Sequence, residues 1–444
     1  MCPGRGYDEF DFYVMQLFKG GTIKNILSNT LWMLFDKLFI LILNLVVTVK
    51  VANYYGTTDY GVYQYAVSVI AIFEILLTFV DGRVIKKRYL TTNPQQLVWT
   101  ATLIRILFAG VSLLGGVIYL FLCNETHEYN VIFCVLLCNA VITNMRFGMQ
   151  NRYEYLLKSK KVIIVVNIAL SIGAVLQLIA VHLHLRIVFV AYITLFTSFV
   201  SFVIIYFQYK KEFGTLLCKK VDKLLIKNII LDSTPLAVAA SCAIIYSRCD
   251  SIMIGNMLSK SDVGIYAIAV KLITIVQMGI SPIRESVYPK MIELYDTDKK
   301  QYAKRYVQIT AILTWVYIIG VLVSFLILPF ILNCLNEEYS EAFPIYQIYV
   351  LGSFFMYNAG LRAGHYTLIN KGSILMYSQI TSVVINFVLN YIMIPYIGLY
   401  GAAAATVITQ GISLLVSNIC FGKVGLEVFK WQIQGLNPIY VLKK

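Results

Sequence analysis

Charge is scarce in this chain: of 444 residues only 14% are Asp, Glu, Lys or Arg, while 59% are hydrophobic and the mean hydropathy is +0.74. A soluble core of this length would need polar residues to cover it, so soluble enzyme folds are excluded. Paired cysteine is lacking as well. The nine cysteines are odd in number, scattered, mostly within apolar runs and without a CxxC pair, which excludes a secreted disulfide scaffold and leaves them as small buried hydrophobes. Histidine is rare, and His127, His182, His184 and His365 have no supporting carboxylate or cysteine set, so no metal site and no cofactor are expected. Neither a phosphate-binding glycine loop nor a catalytic constellation occurs, so the chain is not expected to be an enzyme or to hydrolyse ATP. The first 27 residues hold no apolar run followed by a small-residue cleavage site, and no cleaved signal peptide is expected.

What the chain has instead is apolar runs of roughly 20 residues, each long enough to cross about 30 Å of hydrocarbon as a helix. They predict twelve membrane helices at 28–49, 61–80, 98–122, 131–149, 162–181, 187–207, 228–247, 263–283, 306–332, 345–361, 373–394 and 401–421. Of the 37 Lys and Arg, 29 fall in the amino-terminal segment, in alternate loops (81–97, 150–161, 208–227, 284–305, 362–372) and in the tail. The opposite loops hold only Lys50, Arg186, Arg248 and Lys260. This asymmetry predicts that both termini lie in the cytoplasm. It makes the net charge of +14 a topology signal, with attraction to anionic membrane lipids as a secondary effect, and no nucleic-acid partner is expected.

The sequence also repeats itself. Asp59-Tyr60-Gly61-Val62-Tyr63 returns as Asp262-Val263-Gly264-Ile265-Tyr266, and Met145, Tyr155, Leu157 and Lys160 align with Met356, Tyr366, Leu368 and Lys371. Six helices per copy is an even number, so both copies enter from the same side as parallel repeats. The predicted fold class is therefore an all-α polytopic membrane protein of two pseudo-symmetric six-helix lobes. Residues 1–225 form the first lobe with a basic cytoplasmic linker, 226–421 the second, and 422–444 a cytoplasmic tail. Duplicated bundles of this build bind substrate between the lobes and expose it to alternate sides, although a channel or scaffold has the same outline.

Charges at membrane depth cost about 2.5 to 3.5 kcal/mol each at a helix centre, so each needs a partner or a wet cavity. Asp36 and Lys37 sit near the middle of the first helix, on a polar stripe with Asn29, Asn44 and Thr48. Glu74 is a candidate partner for Lys37 or Arg105. Lys271 lies about two turns into the eighth helix with no carboxylate in its own span and is expected to face water or substrate. Arg105 and Arg146 lie nearer helix ends and either join a cavity or extend to the cytoplasmic surface. Arg248 and Asp250 are candidates for a structural pair or an outer gate. Pro235, Pro282 and Pro395 are expected to bend or end helices.

Three segments carry a family resemblance: Tyr246-Ser247-Arg248-Cys249-Asp250-Ser251-Ile252-Met253-Ile254-Gly255, then Val263-Gly264-Ile265-Tyr266-Ala267 with Lys271, and Ile394-Pro395-Tyr396-Ile397-Gly398-Leu399-Tyr400-Gly401-Ala402-Ala403. Together with Tyr55-Gly56 and Asp59 to Tyr63, they resemble the recurrent signatures of bacterial Wzx-type polysaccharide flippases, in the multidrug and oligosaccharidyl-lipid exporter superfamily. The resemblance implies translocation of undecaprenyl-diphosphate-linked oligosaccharide repeat units across the bacterial inner membrane for O-antigen or capsule synthesis. It implies Lys37, Lys271, Arg105 and Arg146 as cations for the diphosphate, and Asp36 and Glu74 as ion pairs or as carriers of an H⁺ or Na⁺ counter-ion. A polysaccharide polymerase and a chain-length regulator are the implied protein partners. Related lipid II flippases carry an Arg-Asp pair in the first helix and an arginine in the eighth, where this chain has Asp36-Lys37 and Lys271. The alternatives are a multidrug extrusion antiporter, whose cavity would be acidic, and a polytopic polymerase or ligase, which would need a large outward loop that the sequence lacks.

Overall fold

The computed structural model describes residues 22–217, 222–437 and 440, with side chains from residue 39 onward. Among the described residues the chain is all-helical, with no strand. In chain order the helices are α1 (Thr22–Leu77), α2 (Gly82–Arg88), α3 (Pro94–Leu122), α4 (His127–Met145), α5 (Phe147–Tyr155), α6 (Ser159–His182), α7 (Val188–Phe213), α8 (Lys223–Met257), α9 (Lys260–Gln277), α10 (Ile280–Thr297), α11 (Lys299–Leu332), α12 (Ala342–Asn358), α13 (Arg362–Leu368), α14 (Gly372–Leu414) and α15 (Gly422–Gln434).

Nine helices among the described residues are long and apolar enough to cross a membrane. Two of these segments, containing α1 and α14, hold two apolar runs each, separated by a kink, and the 17-residue α12 adds another. The twelve predicted runs are thus all helical. The kinks fall where the residues demand them. Gly56 has a φ of 70°, a left-handed conformation that a side chain would strain, and the freed Thr57 N–H donates to Glu338 Oε2 at 3.0 Å. In α14 the break is at Ile397 and Gly398, just past Pro395. The run predicted at 263–283 stops at Gln277, and the chain turns helical again at Ile280 with Pro282 in the first turn. Pro235 stays inside α8, which has no non-helical residue.

The long apolar helices have one exposed apolar face and one buried face. On α3, Leu107, Leu114 and Phe121 recur every seventh residue on the exposed side, while Ala101, Arg105, Ser112 and Gly116 are buried. The small residues of the inner stripe admit close neighbours: a Cβ on Gly116 would stand 2.4 Å from Leu137 Cδ2 of α4. Side chains also cap the ends. Asn93 accepts from the Gln95 N–H ahead of Pro94, Asp222 from Leu224 and Leu225, and Ser259 from Asp262.

The charge pattern distinguishes two ends of the bundle, a cation-rich end carrying the basic loops and a cation-poor end carrying Gly56, Lys260 and Glu338. Two short helices close turns at the cation-rich end, and each stops at a left-handed residue. Leu157 follows α5 and Asn370 follows α13, with the matching Lys158 N–H to Tyr153 O and Lys371 N–H to Tyr366 O bonds both 2.8 Å. The two turns are alike, but Tyr366 and Lys371 correspond to Tyr153 and Lys158, so the match of Tyr155, Leu157 and Lys160 with Tyr366, Leu368 and Lys371 is two positions out of structural register. The tail holds an element that the hydropathy scan does not predict. Helix α15 turns back under the bundle, its Trp431 ring 5.0 Å from Tyr306 and 5.2 Å from His365, and Asn358 Nδ2 donates to Gln432 O at 3.0 Å.

Candidate functional site

The two copies of the Asp-x-Gly-x-Tyr repeat meet face to face at the cation-poor end. Gly61 of α1 and Gly264 of α9 lie so close that a Cβ on Gly61 would stand 1.8 Å from Lys260 O, and one on Gly264 2.4 Å from Thr57 O. Polar contacts surround this crossing. Ser261 Oγ donates to Thr57 Oγ1 at 2.7 Å, Thr57 Oγ1 to Glu338 Oε2 at 3.1 Å, and Asn336 Nδ2 to Asn53 O at 2.7 Å. Lys260 pairs with Glu125 at 2.9 Å while its ammonium rests 3.1 Å from the Tyr65 ring centroid. Helices from the first and second parts of the chain are thus joined firmly at this end. At the cation-rich end the links between α2 and α8 are sparser: Arg88 to Asp232, and the Asp81 N–H to Ser233 Oγ at 3.4 Å.

Between these ends lies a short series of ionisable groups. Lys271 Nζ of α9 donates to Thr48 Oγ1 of α1 at 2.5 Å. Arg248 of α8 lies within electrostatic range of both Lys271 and Glu74, and no direct ion pair joins any two of the three. Among the described side chains Arg248 of α8 is thus the group that relates Glu74 of α1 to Lys271 of α9. Asp36 and Lys37, predicted to join this set, lie outside the residues whose side chains are described.

Asp250 does not turn toward Arg248. Two residues apart on a helix is about 200°, so the pair face opposite ways. Asp250 is 6% exposed and accepts hydrogen bonds from Tyr266 OH, Asn390 Nδ2 and Thr406 Oγ1, each at 2.6 Å. Asn386 Oδ1 accepts from Asn390 Nδ2 at 3.1 Å, while Asn386 Nδ2 and Asn390 Oδ1 find no partner. A carboxylate with only neutral partners, enclosed by α8, α9 and α14, is a cluster that composition does not reveal. Its signal in the sequence is Asn386 and Asn390, polar residues four apart within an apolar run.

Arg105 and Arg146 lie at another depth. Arg105 Nη1 donates to Asn144 Oδ1 at 2.5 Å and Nη2 to Val80 O at 3.0 Å, and it makes no bond to Glu74; Arg146 Nη1 donates to Ser201 Oγ at 2.9 Å. Counting helical rise from the Gly61–Gly264 crossing, they stand roughly 15 Å beyond Lys271 toward the cation-rich end. A buried arginine from a predicted loop joins the list: Arg362 Nε donates to Asn418 Oδ1 at 2.8 Å and Nη2 to Ser378 Oγ at 3.1 Å. Among the described residues no group of three His, Cys, Asp or Glu side chains is placed to hold a metal.

This all-helical bundle, with charged groups held between its two parts, has the fold of solved membrane transporters. An inward-facing multidrug resistance MATE family transporter of the MOP superfamily superposes with a TM-score of 0.70 at 12% identity, over 89% of this chain and 94% of that one. The lipid II flippase MurJ, in an inward closed conformation, gives 0.65 at 13% identity over 93% of both chains. The MATE multidrug transporter DinF-BH in complex with R6G gives 0.62 at 15% identity, over 92% of this chain and 96% of that one. The family model described as polysaccharide biosynthesis protein matches residues 26–295, and the chain belongs to that family. The MatE model matches residues 235–392. No curated protein matches the sequence.

Proposed function

We propose that this protein is a flippase for polyprenyl-diphosphate-linked oligosaccharides, and that it works in the bacterial inner membrane with both termini in the cytoplasm. In this reading residues 1–225 and 226–421 are two lobes that rock about their interface, so that substrate between them meets each side in turn. The observation that carries the reading is the charge between the lobes. Among the described side chains Arg248 lies within electrostatic range of a second cation, Lys271, and of one carboxylate, Glu74, and that excess suits an anionic diphosphate rather than a cationic drug. Lys271 already donates to Thr48 on the opposing lobe, so its ammonium stands where a headgroup passing between the lobes would meet it. Lys37 would add a further cation, and Asp36 and Glu74 are candidates for balancing charges or for coupling.

The firm closure at the cation-poor end and the sparse links at the other fit a state that loads from the cytoplasm. Asp250 supplies a second requirement of a driven transporter. A carboxylate enclosed at membrane depth by hydroxyls and carboxamides must be neutralised, and a proton or a sodium ion would do so. The product would feed a surface-polysaccharide polymerase and its chain-length regulator.

Deleting the gene and locating the lipid-linked oligosaccharide tests the reading. Accumulation on the cytoplasmic face, reversed by restoring the gene, is expected. Normal transfer to the outer face would end it. The MatE match over the second half of the chain favours an antiporter as the second reading, and export of a cationic dye without any effect on the oligosaccharide would establish that instead.

A further inference from the structure

At the cation-rich end, α2, α3, α4 and α5 surround a cavity of about 360 Å³, within the span of small-ligand sites. Its charged lining is Arg83, Lys86, Arg105 and Arg146 against Asp81 and Glu154. Both carboxylates are engaged within this set. Asp81 receives Arg83 through two bonds of 3.0 and 2.9 Å, and Glu154 receives Lys86 at 2.7 Å. That leaves Arg105 and Arg146, whose hydrogen bonds go only to neutral oxygens. Asp81 is within electrostatic range of Arg105, but its oxygens are taken by Arg83.

Arg105 is 6% exposed, its Nε finds no hydrogen-bond partner, and the Phe147 ring centroid lies 3.4 Å from its guanidinium carbon. Burying guanidinium groups without a carboxylate is costly unless something else supplies negative charge. Structural arginines usually recover that cost through an acidic neighbour; here the acidic neighbours are paired with Arg83 and Lys86 of the same lining, which leaves Arg105 and Arg146 as the surplus. Planar guanidinium groups are the usual cradle of a phosphate group; the lining carboxamides Gln150 and Asn151 are committed to Glu154 Oε1 at 2.9 Å and Phe147 O at 3.0 Å.

We propose that this cavity binds a phosphate or diphosphate group, with Arg105 and Arg146 as its counter-charges. The site stands apart from the transport reading, since Lys271 lies at another depth and belongs to different helices. A phosphate group at the membrane edge has two sources with one chemistry, the headgroup of an anionic lipid or a free anion from the cytoplasm.

The test uses the full-length protein in detergent with three probes: inorganic phosphate and pyrophosphate followed by thermal stabilisation, and phosphatidic acid followed by native mass spectrometry. Saturable binding of at least one probe is expected, weakened about tenfold or more by Arg105→Gln and by Arg146→Gln and unchanged by Lys290→Gln, which removes an exposed cation outside the cavity. Retention of phosphatidic acid alone assigns the site to a headgroup, and binding of the free anions alone assigns it to a soluble phosphate. Should Arg105→Gln not fold, Arg83→Gln replaces it, because releasing Asp81 lets that carboxylate neutralise Arg105 and must also weaken binding. No binding of any probe, or binding left unchanged by the arginine variants, overturns the proposal.

Discussion

Placing a methyl group on Gly61 or Gly264 perturbs the closure at the cation-poor end where it is tightest. A Cβ at position 61 would lie 1.8 Å from the carbonyl oxygen of Lys260 and 2.6 Å from its carbon; at position 264 it would lie 2.4 Å from Thr57 O and 3.3 Å from Gly61 Cα. Ordinary carbon contacts need about 3.5 to 4.0 Å, so α1 and α9 must part by an ångström or more, and main-chain atoms cannot rotate aside. Overpacking of this kind costs about 1–3 kcal/mol. The gain in helix propensity from glycine to alanine, close to 1 kcal/mol, is the same with this end open or closed and cancels. The ratio of closed to open molecules should therefore fall roughly 5- to 150-fold for either Gly61→Ala or Gly264→Ala. Spin labels at Asp59→Cys and Glu337→Cys, both exposed at this end, would report it by pulsed electron resonance in a cysteine-free background. The short-distance population should shrink in each alanine variant. Gly110→Ala is the control, since nothing lies within 4 Å of its added Cβ. An unchanged distance distribution in both Gly61→Ala and Gly264→Ala would refute the reasoning.

Three other substitutions or conditions have defined outcomes. Lys271→Ala should abolish oligosaccharide export while membrane-inserted protein remains, and Lys271→Arg should keep part of it, as measured by surface polysaccharide per cell. Asp250→Asn replaces an acceptor of three buried hydrogen bonds with a group that is half donor, so about 1–3 kcal/mol of stability should be lost and any dependence of transport on imposed pH or Na⁺ gradients removed. Burial pushes the His365 imidazole, 4% exposed and bonded to Tyr302 OH at 2.7 Å, down to about 4. Its charged form is favoured when unfolded, so the stability it permits at neutral pH is lost as pH falls from about 6.5 toward 4, by roughly 3 kcal/mol in all. Among the tyrosines around it and Arg362 no acidic group is present to offset the charge, and amides of Gly422–Gln434 should show lower protection factors, after correction for intrinsic exchange, at pH 5 than at pH 7.5.

Much of this architecture is legible in the chain because hydrocarbon leaves few options. Runs of apolar residues must be helices, and Gly56 and Pro395 mark the tight turns by their own backbone limits. The repeat is legible too, although not its consequence: nothing in Asp-x-Gly-x-Tyr says that its two glycines touch, which follows only from the crossing of α1 over α9. Direction is what the sequence conceals. Arg248 and Asp250 look like a pair on paper, yet a helix turns them apart, one toward Glu74 and the other into the Asn390 and Thr406 cluster. Arg105 looks free to reach the surface, yet Asn144, Val80 O and the Phe147 ring hold it inside. Helix α15 escapes a hydropathy scan because its apolar residues cover only one face, and its partners, His365 and Tyr306, are distant in sequence.

If the charge between the lobes selects a diphosphate, purified protein must discriminate between the two candidate cargoes. The most direct measurement places purified protein in liposomes with a fluorescent polyprenyl-diphosphate oligosaccharide and, separately, a cationic dye, and follows transfer of each across the bilayer. Transfer of the lipid-linked sugar, lost in Lys271→Ala, and no transfer of the dye are expected. Movement of the dye with the lipid left in place, and indifference to Lys271→Ala, would contradict that selection.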